Sequence, residues 1–277
     1  MKYRLLALDL DGTVLDPYGG LTDGVRRAVA AAVEHGLQVV VCTGRRFRSA
    51  VPIVTELGLS GPMVINNGVL VKDIETGTTR HSRYLPASIR AEVIALVREA
   101  GTPLLYVDSR DDTDIFTERI DDAHPFQRSY LADAAPFTVA VDDVAAVGRD
   151  DVIMISTMGD EDTLGELRLR GRKCFGDRIT THQIINKNYD GVVVEFLAPG
   201  TSKWAGLCEI AKASGIERHE IVAVGDDTND VDMIRNAGLG IAMGNAVRAV
   251  KSAADRVVRS NAEGGAIAAI ELAILKS

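Results

Sequence analysis

Two rhythms of apolar and polar positions run along this 277-residue chain. Near both ends, short continuous apolar runs alternate with stretches whose apolar residues recur at helical spacing. Residues 3–8 read as a buried strand that stops at Asp9-Leu10-Asp11-Gly12-Thr13. Thr22 then caps a helix to about residue 35, with Val25, Val29, Ala32 and Val33 on one face and Gly36 ending it. A second strand, 37–42, runs into Thr43-Gly44-Arg45, and a helix over 47–57 carries Pro52 early. A third strand, 63–65, ends at Asn66-Asn67-Gly68. Strands separated by helices predict a parallel sheet.

From residue 69 the pattern changes to alternation. Residues 69–84 read as a hairpin around Glu75-Thr76-Gly77, followed by a helix over 87–100 and strands over 104–107, 114–117 and 152–157. Residues 124–142 show no period and no element is assigned to them. A helix over 160–170 precedes two alternating runs, 178–184 and 192–197, separated by an Asp190-Gly191 turn. This middle third predicts an α+β unit with antiparallel strands. The first rhythm then returns, with helices over 202–213, 231–236, 246–253 and 264–275 and strands over 221–224, 239–242 and 256–258. The fold class is α/β: a Rossmann-like parallel-sheet core from residues 1–85 and 189–277, with an inserted α+β domain from residues 86–188.

Hydrophobic residues make up 46% of the chain and aromatic ones only 5%, so the packing is mostly aliphatic. The balance of 31 basic and 39 acidic residues, net −8, argues against a nucleic-acid partner, which needs a basic face. It leaves room for a phosphorylated substrate, since local cations outweigh a mean field. Cys42, Cys174 and Cys208 are odd in number and widely spaced, so neither a disulfide framework nor a zinc site is expected. Reduced thiols, a first strand that starts at once and the lack of a long apolar segment together predict a cytoplasmic protein without a leader or a membrane partner.

The chemistry gathers at strand ends. In a parallel sheet the carboxyl ends point one way, so Asp9 and Asp11, Thr43-Gly44-Arg45, and Asp226, Asp227, Asn229 and Asp230 after the strand 221–224 can converge, with Lys203 in the first turn of a helix. Carboxylates suit Mg²⁺, a hard cation, while a hydroxyl, an ammonium and an amide can hold phosphoryl oxygens. One carboxylate can act as nucleophile and a second as acid and base.

The ordered set Asp9-Leu10-Asp11-Gly12-Thr13, Thr43-Gly44-Arg45, Lys203 and Gly225-Asp226-Asp227-Thr228-Asn229-Asp230 resembles the haloacid dehalogenase superfamily. More closely it resembles the Cof-like phosphatases, which share the Asn-Gly after strand three, Glu195 before Gly200-Thr201-Ser202-Lys203, and Met243-Gly244-Asn245-Ala246. The resemblance implies Asp9 as nucleophile and Mg²⁺ ligand, Asp11 as acid/base and backbone-carbonyl ligand, and Asp226 as the third protein ligand. It implies Thr43, Gly44, the backbone near Leu10, and Asn229 as the phosphoryl site. Lys203 would balance charge, and Asp230 would orient Lys203 or a metal-bound water. Asp11, where the family's ion pumps carry threonine, favours hydrolysis of an aspartyl-phosphate. The inserted domain would be the cap that selects the leaving group.

The function so implied is a Mg²⁺-dependent phosphatase acting on a small phosphorylated metabolite, such as a sugar phosphate. A phosphomutase or phosphotransferase on the same scaffold, and a non-catalytic phospho-acceptor sensor, are the alternatives; monomer and homo-oligomer are both left open. A nicotinamide site is not expected, because the first strand-to-helix turn has no Gly-x-Gly-x-x-Gly loop. Blander readings cover the other candidates. Cys42 reads as a buried thiol, Asp227 as a solvated neighbour, and Asp108, Asp111, Asp112 and Asp114 as a solvated turn. Asn66-Asn67-Gly68 reads first as a turn, Trp204 as packing, and His81, His124 and His182 as surface or packing residues. Arg45 and Arg46 either steer an anion or cap the neighbouring loop.

Overall fold

In a computed structural model the chain divides into two compact units, Met1–Ser82 with Ser202–Ser277, and Arg83–Thr201. The structure describes residues 2–109, 111–118, 120–186 and 191–277. The split unit opens with β1 (Leu5–Leu8), α1 (Asp23–Glu34), β2 (Gln38–Val41), α2 (Phe47–Glu56), β3 (Pro62–Ile65), β4 (Leu70–Asp73) and β5 (Thr79–Ser82). The inserted unit contains α3 (Ala87–Arg98), β6 (Leu104–Val107), β7 (Ile115–Thr117), α4 (Pro125–Asp133), β8 (Thr138–Ala140), β9 (Val152–Gly159), α5 (Glu161–Phe175), β10 (Thr180–Asn186) and β11 (Gly191–Leu197). The split unit resumes with α6 (Lys203–Ala213), β12 (Ile221–Gly225), α7 (Val231–Asn236), β13 (Leu239–Ala242), α8 (Arg248–Ala253), β14 (Arg256–Val257) and α9 (Gly265–Lys276).

Five parallel strands in the order β14-β13-β12-β1-β2 form the main sheet of the split unit. Every residue of β1 and β12 is buried. That explains their unbroken apolar runs, since a parallel sheet is covered on both faces. Leu8 at the end of β1 lies opposite Val41 of β2 and Val224 of β12. The strand order reverses here, and such a point opens a crevice beyond the carboxyl ends of the strands. The Thr22 hydroxyl accepts from the Val25 N–H at 3.3 Å and starts α1, which buries Val25, Ala28, Val29 and Ala32. Val33, expected on that face, is exposed.

The third strand departs from expectation. β3 pairs antiparallel with β4, and β4 with β5, in a separate three-stranded sheet. An isolated parallel bridge, Cys42 to Val64, is all that the strand ladders place between β3 and the end of β2. The hairpin that follows β3 supplies it with a full antiparallel ladder.

The inserted unit is a six-stranded sheet, β10-β11-β9-β6-β7-β8, antiparallel except for the β7–β8 pair. Its core joins Ile89, Val93 and Val97 of α3 and Leu164 and Leu167 of α5 to Leu105, Ile155, Val194 and Phe196 of the sheet. The chain leaves this unit at residue 201, not at the expected 188. β11 is the reason: it is a second apolar run, but it pairs antiparallel with β9, Phe196 opposite Ile155, and with β10. Asn188 and Asp190 lie outside the described residues. The unassigned residues 124–142 hold α4, a turn and β8. α4 is anchored by the buried Gln127, which accepts from the Met158 N–H at 3.0 Å and donates to the Thr102 carbonyl at 3.0 Å. Asp108 and Asp114 are buried rather than solvated, and Asp108 accepts from the Tyr84 hydroxyl at 3.0 Å.

Candidate active site

Asp9 follows β1 and keeps the strand's register, its N–H donating to the Val224 carbonyl at 3.1 Å. The chain then coils tightly through Leu10–Val14, with Gly12 at φ +78°. This turn separates two carboxylates that an extended strand would hold on one side. The Asp9 side chain is 5% exposed, whereas that of Asp11 is 56% exposed and takes a two-pronged bond from Arg45, Nε to Oδ2 at 2.7 Å and Nη2 to Oδ1 at 2.6 Å. Only glycine suits position 12: its φ is left-handed, and a Cβ there would overlap the Asp226 carboxylate.

Lys203 starts α6, whose first turn is capped by the Ser202 hydroxyl on the Ala205 N–H at 3.2 Å. The buried ammonium donates to Asp9 Oδ1 at 2.6 Å and to Asp230 Oδ1 at 2.7 Å. Asp230 Oδ2 accepts the Asp226 and Asp227 N–H groups at 3.0 and 3.1 Å. Asp230 therefore ties the lysine to the loop after β12. Burial alone would push Lys203 down, but the Asp230 and Asp9 charges outweigh it and hold the ammonium up. Burial pushes the Asp9 carboxyl well up; Lys203 pulls it back, and the Asp230 and Asp226 charges raise it further.

Asp226 sits at the end of β12, beside β1. Its Oδ1 accepts from the Thr13 hydroxyl at 3.3 Å and its Oδ2 from the Asn245 amide at 3.1 Å. Burial first, then Asp230 and Asp227, push this carboxyl up to about 7. Asp9, Asp226 and Asp230 can each bring one oxygen within 4.8 Å of the others. The cluster is made of oxygen donors alone, three carboxyl groups to one lysine, a donor set that suits a hard cation.

Thr43 and Gly44 lie beyond β2, with Thr43 buried and its hydroxyl accepting from the Arg45 N–H at 3.1 Å. Asn229 donates its amide to Asn67 Oδ1 at 2.9 Å. The fold thus gathers Asp9, Lys203, Asp226 and Asp230 into one connected group and places Asp11 on Arg45. Leu10 follows Asp9 with its side chain buried. Two further polar partners carry no role from sequence, Thr13 and Asn245, while Arg45, read as an anion guide or a loop cap, holds Asp11, and Asn67, read first as a turn, holds Asn229. Asn245 also donates to the Gly12 carbonyl at 2.8 Å, joining the first motif to the last. It stands in the recognisable Met243-Gly244-Asn245-Ala246 run, but its partner 19 residues away does not show in sequence. Cys42 is a buried thiol that burial pushes up, unsuited to nucleophilic work. Asp227 caps a turn by accepting from the Thr228 N–H at 2.6 Å.

The family model for haloacid dehalogenase-like hydrolases matches residues 6–270. A pyridoxal phosphate phosphatase of Escherichia coli is 29% identical over 94% of this chain and 95% of its own length. A 5-amino-6-(5-phospho-D-ribitylamino)uracil phosphatase of Bacillus subtilis is 27% identical over 95% of each. The crystal structure of a haloacid dehalogenase-like hydrolase from Bacteroides thetaiotaomicron superposes with a TM-score of 0.81 and 26% identity, over 98% of this chain and 99% of that one. Among the described residues, no helix is long and apolar enough to cross a membrane.

Proposed function

The chain belongs to the haloacid dehalogenase-like hydrolase family and is a phosphatase, and on that premise we propose that it hydrolyses a small phosphomonoester by carrying the phosphoryl group on Asp9. The observation that carries this reading is the buried chain Asp9–Lys203–Asp230 beside Asp226. An Asp9 oxygen attacks phosphorus as the bond to the leaving oxygen breaks, and Asp11 delivers a proton to that oxygen. Asp11 then takes a proton from water, the water oxygen attacks phosphorus, and inorganic phosphate leaves with Asp9 restored. Lys203 holds Asp9 as a carboxylate and aims its oxygen. Thr43, Gly44, the backbone near Leu10 and Asn229 hold the phosphoryl oxygens. Phosphoryl transfer needs mainly positioning and charge stabilisation, which is what these groups offer.

The donor set fits Mg²⁺, held by Asp9, Asp226 and the Asp11 backbone carbonyl. Asp230 is given the role of holding Lys203 and the loop after β12, its Oδ1 accepting the ammonium and its Oδ2 two backbone N–H groups. When bound, the ion supplies positive charge against the phosphoryl oxygens. We assign leaving-group selection to the inserted unit, the counterpart of the family's cap; exchanging residues 83–201 for those of a relative with a different substrate should move the preference. If the preference stays put, selection lies in the split unit instead. The reaction itself is tested by phosphate release from a panel of small phosphate esters with Mg²⁺, wild type beside Asp9→Asn. Release by wild type alone supports the reading, and release by both removes Asp9 from its role.

A further inference from the structure

Asn66 and Asn67 both sit in the left-handed region, at φ +48° and +56°. A single such residue is uncommon without glycine, and two in succession persist only where surroundings over-determine them. Here the backbone is held from one side by the loop after β2: the Asn66 N–H donates to the Arg45 carbonyl at 3.0 Å, and the Asn67 N–H to the Thr43 carbonyl at 3.1 Å. On another side the turn packs against α6, the helix that begins with Lys203. The buried Asn67 side chain meets a third part of the site, accepting from Asn229 Nδ2 at 2.9 Å. Its Oδ1 also lies where a Cβ on Gly44 would approach to 2.9 Å, so only glycine leaves it room. One turn therefore touches every segment assigned to the phosphoryl group except the first strand.

We propose that Asn67 is a positioning residue for phosphoryl binding. A side-chain amide nitrogen has two N–H donors. By accepting one of them, Asn67 Oδ1 fixes the plane of the Asn229 amide and aims the other at a phosphoryl oxygen. The strained turn is retained because only that backbone delivers the oxygen between Gly44 and Asn229. This role rests on the phosphatase reading above.

The test separates the side chain from the turn. Asn67→Gly keeps the left-handed backbone without strain and removes the amide; the strain relieved offsets part of the lost bond to Asn229, so the variant should remain folded, with a melting temperature only a few degrees below that of wild type. KM and the dissociation constant for inorganic phosphate, measured by titration calorimetry with Mg²⁺, should each rise about tenfold, with kcat changed less. Because Asn67 acts through Asn229, the double variant Asn67→Gly/Asn229→Ala should bind phosphate no worse than Asn229→Ala alone. Phosphate binding within twofold of wild type in Asn67→Gly, or effects that multiply in the double variant, would overturn the proposal. Wild type that binds phosphate but releases none from any ester would fail the phosphatase reading while still reporting on Asn67. Wild type that neither binds phosphate nor releases it from any ester would sink both.

Discussion

Both units bury carboxylates, and they treat them differently. In the inserted unit, Asp151 and Glu118 each meet a guanidinium. The fully buried Asp151 is gripped by Arg149, Nε and Nη2 each at 2.8 Å, and the mostly buried Glu118 takes two bonds from Arg98 and the Val144 N–H at 2.6 Å. In the split unit three buried carboxylates, Asp9, Asp226 and Asp230, share the single ammonium of Lys203. A charge matched by its own guanidinium is a structural device. Three buried carboxyl groups around one ammonium, two of them pushed up by burial, are poised for something positive from outside that would favour their charged form. Burial is the same in both units, and only the count of neutralising partners tells a strut from a site.

The strongest challenge to this contrast is Asp9→Asn. Phosphate release should fall by more than about three orders of magnitude while the melting temperature holds or rises, since one of three crowded buried carboxyl groups is lost. An unfolded variant would place Asp9 with the struts. Lys203→Met leaves the three carboxylates with no cation and should cost about 3–5 kcal/mol in urea unfolding. Arg149→Met, which strands one buried carboxylate and releases the half-exposed Asp111, should cost roughly 1.5–3 kcal/mol; a larger loss there than at Lys203 would break the comparison. Mg²⁺ at a hundred times its dissociation constant should stabilise wild type by about 2.7 kcal/mol. The same gain should appear in Arg149→Met and vanish in Asp226→Asn; a gain that survives in Asp226→Asn would move the cation elsewhere.

The smallest effect concerns a carboxylate satisfied within its own turn. Asp73 accepts the Glu75 and Thr76 N–H groups at 3.2 and 3.0 Å and pairs with Arg80, and these bonds, the Thr76 backbone bond foremost, hold its pKa below the ordinary value. A depressed pKa adds stability above the unfolded value and loses it as pH falls through the folded one. Thermal melting should therefore show a component below about pH 4 that Asp73→Asn removes. An unchanged profile would show that the turn draws nothing from the charge.

Much of this was legible because it is local. Thr22 and Gly36 mark the limits of α1 from neighbours four residues away or fewer, and the apolar runs mark β1 and β12 without knowledge of their partners. The site's motifs were legible too, since polar residues directly after a buried strand have few places to go. What stayed hidden was pairing. β11 has the same apolar run as a core strand, and nothing within Val192 to Leu197 says that β9, not β1, lies beside it. Asp11 and Asp9 share a parity in sequence, and the Leu10–Val14 turn that separates them is set by the Gly12 approach to Asp226, more than 200 residues on. Residues 124–142 lack a clear period because α4 is short and buries a polar side chain, Gln127, beside Phe126 and Leu131.

The split of the unit that holds Asp9 and Lys203 also sets a schedule. Asp9 leaves the ribosome with the first strand, but the ammonium that neutralises it stands 194 residues later, a delay of roughly 10–40 s at ordinary synthesis rates. The whole inserted unit, Arg83–Thr201, is made between Asp9 and Lys203. β1 has no β12 to lie against until later still. A nascent chain stalled short of residue 203 would thus hold Asp9 with neither the lysine nor β12 beside it.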